Sequence, residues 1–548
     1  MNGAEYIVRE LLAAGTDTVF GYPGGTVIAL YDALYRHRRE LRHIRTAAEQ
    51  GAAFAADGYA RATGRFGVCI ATSGPGATNL VTGIANAFMD SVPLICITGN
   101  VDHHLIGTDS FQEVDIVCMT LGVTKHSWAV RSPELLTRAM QNAFRLCTGG
   151  RPGPVLIDVA KDVLEGESAV YDAALQTTGR TLYPEAASIK APAAAQVSEA
   201  GTLLANAKKP LIICGGGARR AGAGTGLIEL AERLGAPVCT TLMGLGTLPS
   251  GHPLDLGLVG AMASAETACA LNECDLILTA GARFSNRSAG SVDFSGGGKT
   301  LVQIDSDSAE INKIVKADAY IEADVKVALD ALSDWFETRG QTPRRPWFSP
   351  ERQKDSAACD IDHAALRKGC IAPADIFSAV RRAAGERVTV ATDVGLHQLY
   401  TARYFPLEPE DLFLTSGGLG SMGYGLGAAI GAQLAMPERT TVLFTGDGSF
   451  LMDMNELATA AEQKLPLIIV VLKNGQLGMV HELQRTECGR RYSATVLKQK
   501  INIPKLAAAF GLRGMRVHSA EELEAAVRDA VNRRTAAVIE VRTYLKGC

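Results

Sequence analysis

Asp447 and Asn474 are the residues whose types and spacing say most about chemistry. They lie in TVLFTGDGSFLMDMNELATAAEQKLPLIIVVLKNGQLG (441–478), which reads as strand, Gly-Asp-Gly turn, helix, strand and Asn-Gly turn. A βαβ unit of that kind brings the carboxyl ends of its two strands to one rim, so a carboxylate and an amide oxygen converge there. Mg²⁺ takes near-octahedral oxygen ligands and often keeps phosphate oxygens among them. Asp447, Asn474 and the Gln476 carbonyl are therefore candidate ligands of a metal–diphosphate pair. Gly446 and Gly448 let the backbone approach an anion, and the helix start adds N–H donors and positive dipole. Taken alone, Gly-Asp-Gly is also a common strand-to-helix turn. Glu49 stands in TAAEQGAAFAADGYARATG, where few other acids lie nearby and small residues make a helix slender enough for close packing. A first-turn glutamate favoured by the helix dipole reads the same way.

The elements that must position these groups follow from periodicity. Short β-branched runs alternate with helical patterns along the whole chain, which predicts an α/β fold of three doubly wound parallel-sheet domains. Strands are expected at 68–73, 93–99 and 155–160 in a first domain (1–165), and at 211–214, 275–280 and 301–305 in a second (195–342). Others are expected at 388–393, 441–446, 467–474 and 538–543 in a third (369–548). The stretches 166–194 and 343–368 lose the pattern, carry prolines, and read as linkers.

Composition narrows the function classes. Of 548 residues, 47% are hydrophobic and 20% charged, a soluble globular mixture. With 58 acidic and 54 basic residues, a net charge of −4 and no long like-charge run, neither nucleic acid nor an anionic membrane is an expected partner. No apolar run reaches the ~18 residues of a membrane span. Twelve cysteines without CxxC or Cys/His spacing read as thiols of a reducing compartment. A cytoplasmic protein acting on small molecules is expected.

The 441–478 pattern resembles the metal and diphosphate motif of thiamine diphosphate enzymes. Residues 19–34 (VFGYPGGTVIALYDAL), 46–64 and 66–99 resemble, almost continuously, the pyrimidine-binding domain of acetohydroxyacid synthases. GTDSFQEVDIV (107–117), GRPGPVLIDVAKDV (150–163), TTLMGLG (240–246), DVGLHQ (393–398) and TSGGLGSMGYGLGAAIGA (415–432) extend the resemblance over about residues 1–545. It implies pyrimidine-binding, central FAD-type and diphosphate-binding domains in that order. It implies that Glu49 contacts the aminopyrimidine of a thiamine diphosphate held by another subunit, hence a homodimer or homotetramer, with a small regulatory subunit as a further partner.

By the same resemblance Tyr22, Pro23, Gly24, Thr72, Pro75 and Asn79 line the pyrimidine side. Val394, Gly395, Leu396, His397, Gly420, Gly446, Gly448, Ser449, Leu477, Gly478, Met479 and Val480 belong to the other side of the cofactor. Met422 wedges under the cofactor in the family, although a Met there also reads as core packing. Gly215, Gly216, Gly217, Thr241, Leu242, Gly281, Arg283, Arg287, Asp305 and Asp324 match the FAD site, where the flavin has no net redox role. Gly215–Gly217 alone is equally a Gly-rich turn.

The resemblance implies that pyruvate loses CO₂ and its two-carbon remainder is ligated to a second 2-oxo acid, as in branched-chain amino acid biosynthesis. Gln112 is a catalytic candidate. Phe111, Lys161, Arg283 and Leu483 match positions near the substrate or its access channel. Lys161 reads as well as a surface lysine. An apolar surround of Phe111, Met479, Val480 and Leu483 is expected to exclude water, which favours decarboxylation.

Departures from the family pattern are local. Ala47 and Ala48 stand where Arg-His is usual, Lys473 precedes Asn474 where a second Asn is usual, and Gly260–Ala263 replaces Gly-Met-His-Gly. Ser285 and Asn286 interrupt the usual Arg-Phe-Asp-Asp-Arg. Leu483 replaces a pocket tryptophan associated with 2-oxobutanoate, so pyruvate is expected to serve comparably well as acceptor. The chain stops at Cys548 without the tail that closes over the site in many relatives. A thiamine-dependent decarboxylase or oxidase, and a non-catalytic cofactor-binding homologue, are the competing readings.

Overall fold

Three six-stranded sheets, each parallel throughout, carry the chain. The structure is a computed structural model that describes residues 1–178, 191–260, 263–285, 298–348, 369–499 and 501–544. The first sheet holds β1 (Thr18–Gly21), β2 (Arg42–Arg45), β3 (Gly67–Ala71), β4 (Leu94–Asn100), β5 (His126–Val130) and β6 (Val155–Ala160), in the order β2-β1-β3-β4-β6-β5. The central sheet holds β7 (Pro210–Cys214), β8 (Val238–Thr240), β9 (Asp255–Leu258), β10 (Leu276–Ala280), β11 (Thr300–Asp305) and β12 (Ala319–Glu322), in the order β9-β8-β7-β10-β11-β12. The third holds β13 (Thr389–Thr392), β14 (Leu412–Leu414), β15 (Thr441–Gly446), β16 (Ile468–Lys473), β17 (Arg513–Val517) and β18 (Ala537–Arg542), in the order β14-β13-β15-β16-β18-β17. The first and third sheets thus share one topology.

Strand order reverses between β1 and β3, between β7 and β10, and between β13 and β15. Crevices at such switch points are where open α/β sheets bind ligands. Gly24 and Thr72, Gly215 and Gly281, and Val394 follow five of these strands and Gly446 ends the sixth, so the fold sets the candidate residues around three crevices.

All ten expected strands are present to within one or two residues at their ends. Six of the eight strands missed by periodicity (β2, β5, β9, β12, β14, β17) are sheet edges. An edge strand is covered on fewer sides and needs no continuous apolar run. The other two, β1 and β8, are four and three residues long.

Two stretches expected as linkers are partly built into the layers. Ala169–Thr178 is a helix whose Tyr171 is fully buried, with its ring stacked on Tyr6 at 5.1 Å. In the second stretch Phe348 is buried and the Trp347 indole N–H donates to the Pro210 carbonyl at 2.7 Å. In both places aromatic side chains anchor a segment that has no apolar period. Residues 179–190 and 349–368 of these linkers lie outside the described residues.

The first and third layers meet through two small-residue helices, Glu49–Thr63 and Gly425–Ala435. A Cβ on Gly431 would stand 1.8 Å from the Ala55 carbonyl oxygen, and one on Gly58 would stand 2.1 Å from that of Ala428. Gly431→Ala gains about 1 kcal/mol of helix propensity. Pressing a methyl into backbone costs about 3 kcal/mol or more, so the clash wins. The variant is expected to unfold at a clearly lower temperature; an unchanged or raised midpoint would show that the helices part without cost.

Among the described residues the cysteines are free thiols, and no helix is long and apolar enough to cross a membrane.

Candidate functional site

The third-layer rim gathers most of the residues expected there. Asp447 opens the helix after β15, and its Oδ2 accepts from the Gly475 N–H at 2.9 Å. Its Oδ1 is buried with no hydrogen-bond partner among the described residues. Asn474 follows β16, and its Oδ1 accepts from the Gln476 N–H at 3.2 Å. Burial pushes the Asp447 carboxyl above its ordinary value, with the Gly475 N–H opposing it. A divalent cation at Oδ1 would remove that cost. Among the described residues no cluster of three His, Cys, Asp or Glu offers a metal cage. A cation here would rest on one carboxylate, an amide, a carbonyl and phosphate oxygens, a set suited to Mg²⁺.

The backbone around Asp447 is close-set. A Cβ on Gly448 would meet Leu477 at 2.5 Å, and Gly478 lies against both Leu396 and the Asn474 amide. Ser449 Oγ donates to the Val394 carbonyl at 3.0 Å, which ties this rim to the loop after β13. His397 sits beneath Gly395 and Gly446. Burial pushes its imidazole down to about 3, so the ring is neutral, and its Nε2 has no partner among the described residues. A Cβ on Gly420 would stand 4.0 Å from Val394.

Asp393 was not singled out by sequence, yet it organises this rim. Its Oδ1 accepts from the Val394 N–H at 2.9 Å and the Gly423 N–H at 2.8 Å, holding the half-buried Met422 beside the loop after β13. Its place at the end of a strand in DVGLHQ was the available signal.

The first-layer half forms around β1 and β3. Glu49 is the first residue of its helix, and its Oε2 accepts from the Asn79 amide at 2.9 Å. Gly24 lies against Thr72, whose hydroxyl meets Thr26 Oγ1 at 2.9 Å. Gln112 adopts a φ of 61°, and this kink lays its backbone over Gly74, two residues before Gly76 and the Glu49 carboxylate. Tyr22, Pro23 and Pro75 are exposed around this cluster. Thr26 and Gly74 had no distinguishing spacing in sequence.

Some substrate candidates do not converge within one chain. Phe111 is 87% exposed, Leu483 49% and Val480 44%, so the water-excluding surround expected of them with Met479 does not form there. These side chains project from a loop and from the Gly478–Glu487 helix, which has no buried residue. Lys161 pairs with Glu165 at 3.8 Å across one helical turn. Arg283 donates to the Met89 carbonyl at 2.6 Å.

A cavity of about 1770 Å³ opens at the central switch point, lined by Gly216, Gly217, Thr241, Leu242, Gly281, Arg283, Asp305 and Asp324. Gly215 packs against the Gly281 carbonyl at its base. The cavity continues past Asp90 to Val394, Leu419 and Gly420 on the third layer. Burial raises the Asp305 carboxyl above its ordinary value. Arg287, with Ala261, Met262 and Asn286, lies outside the described residues.

With this geometry in place, comparison with known proteins is specific. Models of thiamine pyrophosphate enzymes match the N-terminal TPP binding domain over residues 1–119, the central domain over 197–332 and the C-terminal TPP binding domain over 393–541. The chain is 40% identical to the acetolactate synthase isozyme 2 large subunit of Escherichia coli K12, covering 97% of this chain and 94% of that protein. It is 40% identical to the isozyme 1 large subunit of the same organism, over 98% and 93%. It is 39% identical to a probable acetolactate synthase large subunit of Methanocaldococcus jannaschii, over 97% and 90%. Matches of this length span all three sheets and all three crevices, and the chain belongs to the acetolactate synthase large subunits, within the thiamine pyrophosphate enzymes.

Proposed function

We propose that this chain decarboxylates pyruvate and ligates the two-carbon unit to a second 2-oxo acid, with pyruvate as acceptor giving 2-acetolactate. The observation that carries the reading is the pairing of Glu49, at a helix start above Gly76, with the orphaned Asp447 Oδ1 on a second crevice of the same topology. Thiamine diphosphate supplies the electron sink that lets a 2-oxo acid lose CO₂ and attack a carbonyl. Asp447, Asn474 and the Gln476 carbonyl would hold Mg²⁺, with the diphosphate against Gly446 and Gly448. Glu49, oriented by Asn79, would be the group that exchanges a proton with the aminopyrimidine. Met422, held through Gly423 and Asp393, would pack against the bound cofactor, and Gln112 would lie on the substrate side of the first-layer half.

A homodimer is the smallest assembly that serves both halves. In one chain Glu49 bonds to Asn79 of its own layer, and a second copy would cover Phe111, Val480 and Leu483 to make the dry surround. The central cavity, of dinucleotide size and continuous with Gly420, supports FAD in a non-redox role held by Gly215–Gly217, Arg283, Asp305 and Asp324. The large-subunit names of the relatives support a small regulatory partner. The free thiols accord with a cytoplasmic setting.

Incubation of the purified protein with pyruvate, thiamine diphosphate and Mg²⁺, with and without FAD, is expected to yield 2-acetolactate as the main product. In competition, Leu483 is expected to leave pyruvate and 2-oxobutanoate comparable as acceptors. Acetaldehyde or peroxide as the main product would overturn the ligase reading. A strong 2-oxobutanoate preference would overturn the acceptor assignment alone.

A further inference from the structure

Glu456 is a buried carboxylate of the third layer, 1% exposed, whose acceptors are spent on the first. Its Oε2 accepts from the Ala47 N–H at 3.1 Å and its Oε1 from the Ala48 N–H at 3.0 Å. Thr459 Oγ1 donates to Oε2 at 2.7 Å and fixes the carboxylate. Ala48 is the N-cap of the Glu49–Thr63 helix, and no side chain caps it from within the layer. The N–H groups at and before a helix cap have no acceptor inside the helix, so Glu456 meets an obligation the first layer leaves open. Gly51 is cut to fit: a Cβ there would stand 2.0 Å from Glu456 Oε1. With alanines at 47 and 48, the backbone donors are the whole of what these two residues offer.

We infer that Glu456 is a positioning residue for Glu49, clamping the backbone just before it and so setting where its carboxylate points. The inference rests on the role proposed above for Glu49. In a homodimer it means that one chain's third layer aims the carboxylate which that chain lends to the site on its partner.

The test is E456Q in the full-length protein. A glutamine keeps one accepting oxygen, and its NH₂ faces a second N–H that it cannot accept. Three quantities are read: amide hydrogen exchange at residues 47 and 48 without cofactor, thiamine diphosphate affinity, and the rate of hydrogen–deuterium exchange at the thiazolium C2 by NMR. In the wild type the two amides should be protected although they precede the helix ladder. In E456Q they should lose protection, and C2 exchange and kcat should fall together by about 10- to 100-fold. The KM for pyruvate and the affinity for thiamine diphosphate should hold.

Should E456Q fail to fold, Thr459→Val, which removes only the hydroxyl that fixes Oε2, is expected to slow C2 exchange by a smaller factor in the same sense. Exposed amides at 47 and 48 in the wild type, or wild-type C2 exchange in a folded E456Q or T459V, would overturn the inference. A wild-type protein that fails to accelerate C2 exchange would remove the proposed function and this inference with it.

Discussion

Glu49→Gln is expected to lower turnover by about 10²- to 10⁴-fold, the range spanned by a lost acid–base group. The change is nearly isosteric. The glutamine oxygen can still accept from the Asn79 amide, the bond that Oε2 makes at 2.9 Å, so helix and cluster should hold. On the proposed function, what would disappear is a group able to exchange a proton at the aminopyrimidine. Thiamine diphosphate should still bind, because the residues proposed to hold its diphosphate and metal are untouched. The measurement is kcat beside cofactor affinity, with C2 exchange slowed in parallel. Turnover near wild type would take Glu49 out of the reaction and leave the fold as described. Weakened binding with unimpaired exchange would instead make it an anchoring group.

Asp447→Asn is expected to act in two opposite directions. With Mg²⁺ and thiamine diphosphate the variant should bind the cofactor about 100-fold or more weakly, exceeding the usual loss from a supporting ligand contact. The same change should stabilise the protein without cofactor. Oδ1 is buried and unpartnered, and burial already raises the carboxyl above its ordinary value. An unpaired buried charge costs more than an unpaired buried amide. The melting temperature without cofactor should rise slightly, while the rise on adding Mg²⁺ and thiamine diphosphate should shrink. Both arms follow from reading the orphaned oxygen as a cation site. A cofactor-free protein destabilised by Asp447→Asn, or cofactor affinity unchanged, would sink that reading.

The carboxylates differ in how far they could be read before folding. Asp447 and Asn474 were legible because one βαβ unit contains both, and strand ends come to a common rim by local geometry alone. Glu49 was legible as a first-turn residue of a small-residue helix, and the structure places it there. Lys161 pairs with Glu165 one turn on, a contact that the match by position did not foretell. Phe111 and Leu483 show a limit of such matching, since an apolar residue in sequence does not say whether its cover comes from the same chain.

Period and composition determined the three parallel sheets, their ten buried strands and the crevice residues that follow strand ends, because dihedral preference and hydrophobic repeat act over a few residues. Edge strands and the aromatic anchors Tyr171 and Trp347 carry no such repeat. Only the tertiary structure decided that Glu456 reaches Ala47 across 409 positions, that Asp90 accepts from Gly417 and Gly418, and that Gly431 lies on the Ala55 carbonyl. Each of these depends on how whole layers dock. Docking selects partners by shape and by unsatisfied donors, and neither is a property of the segment on which a residue is found.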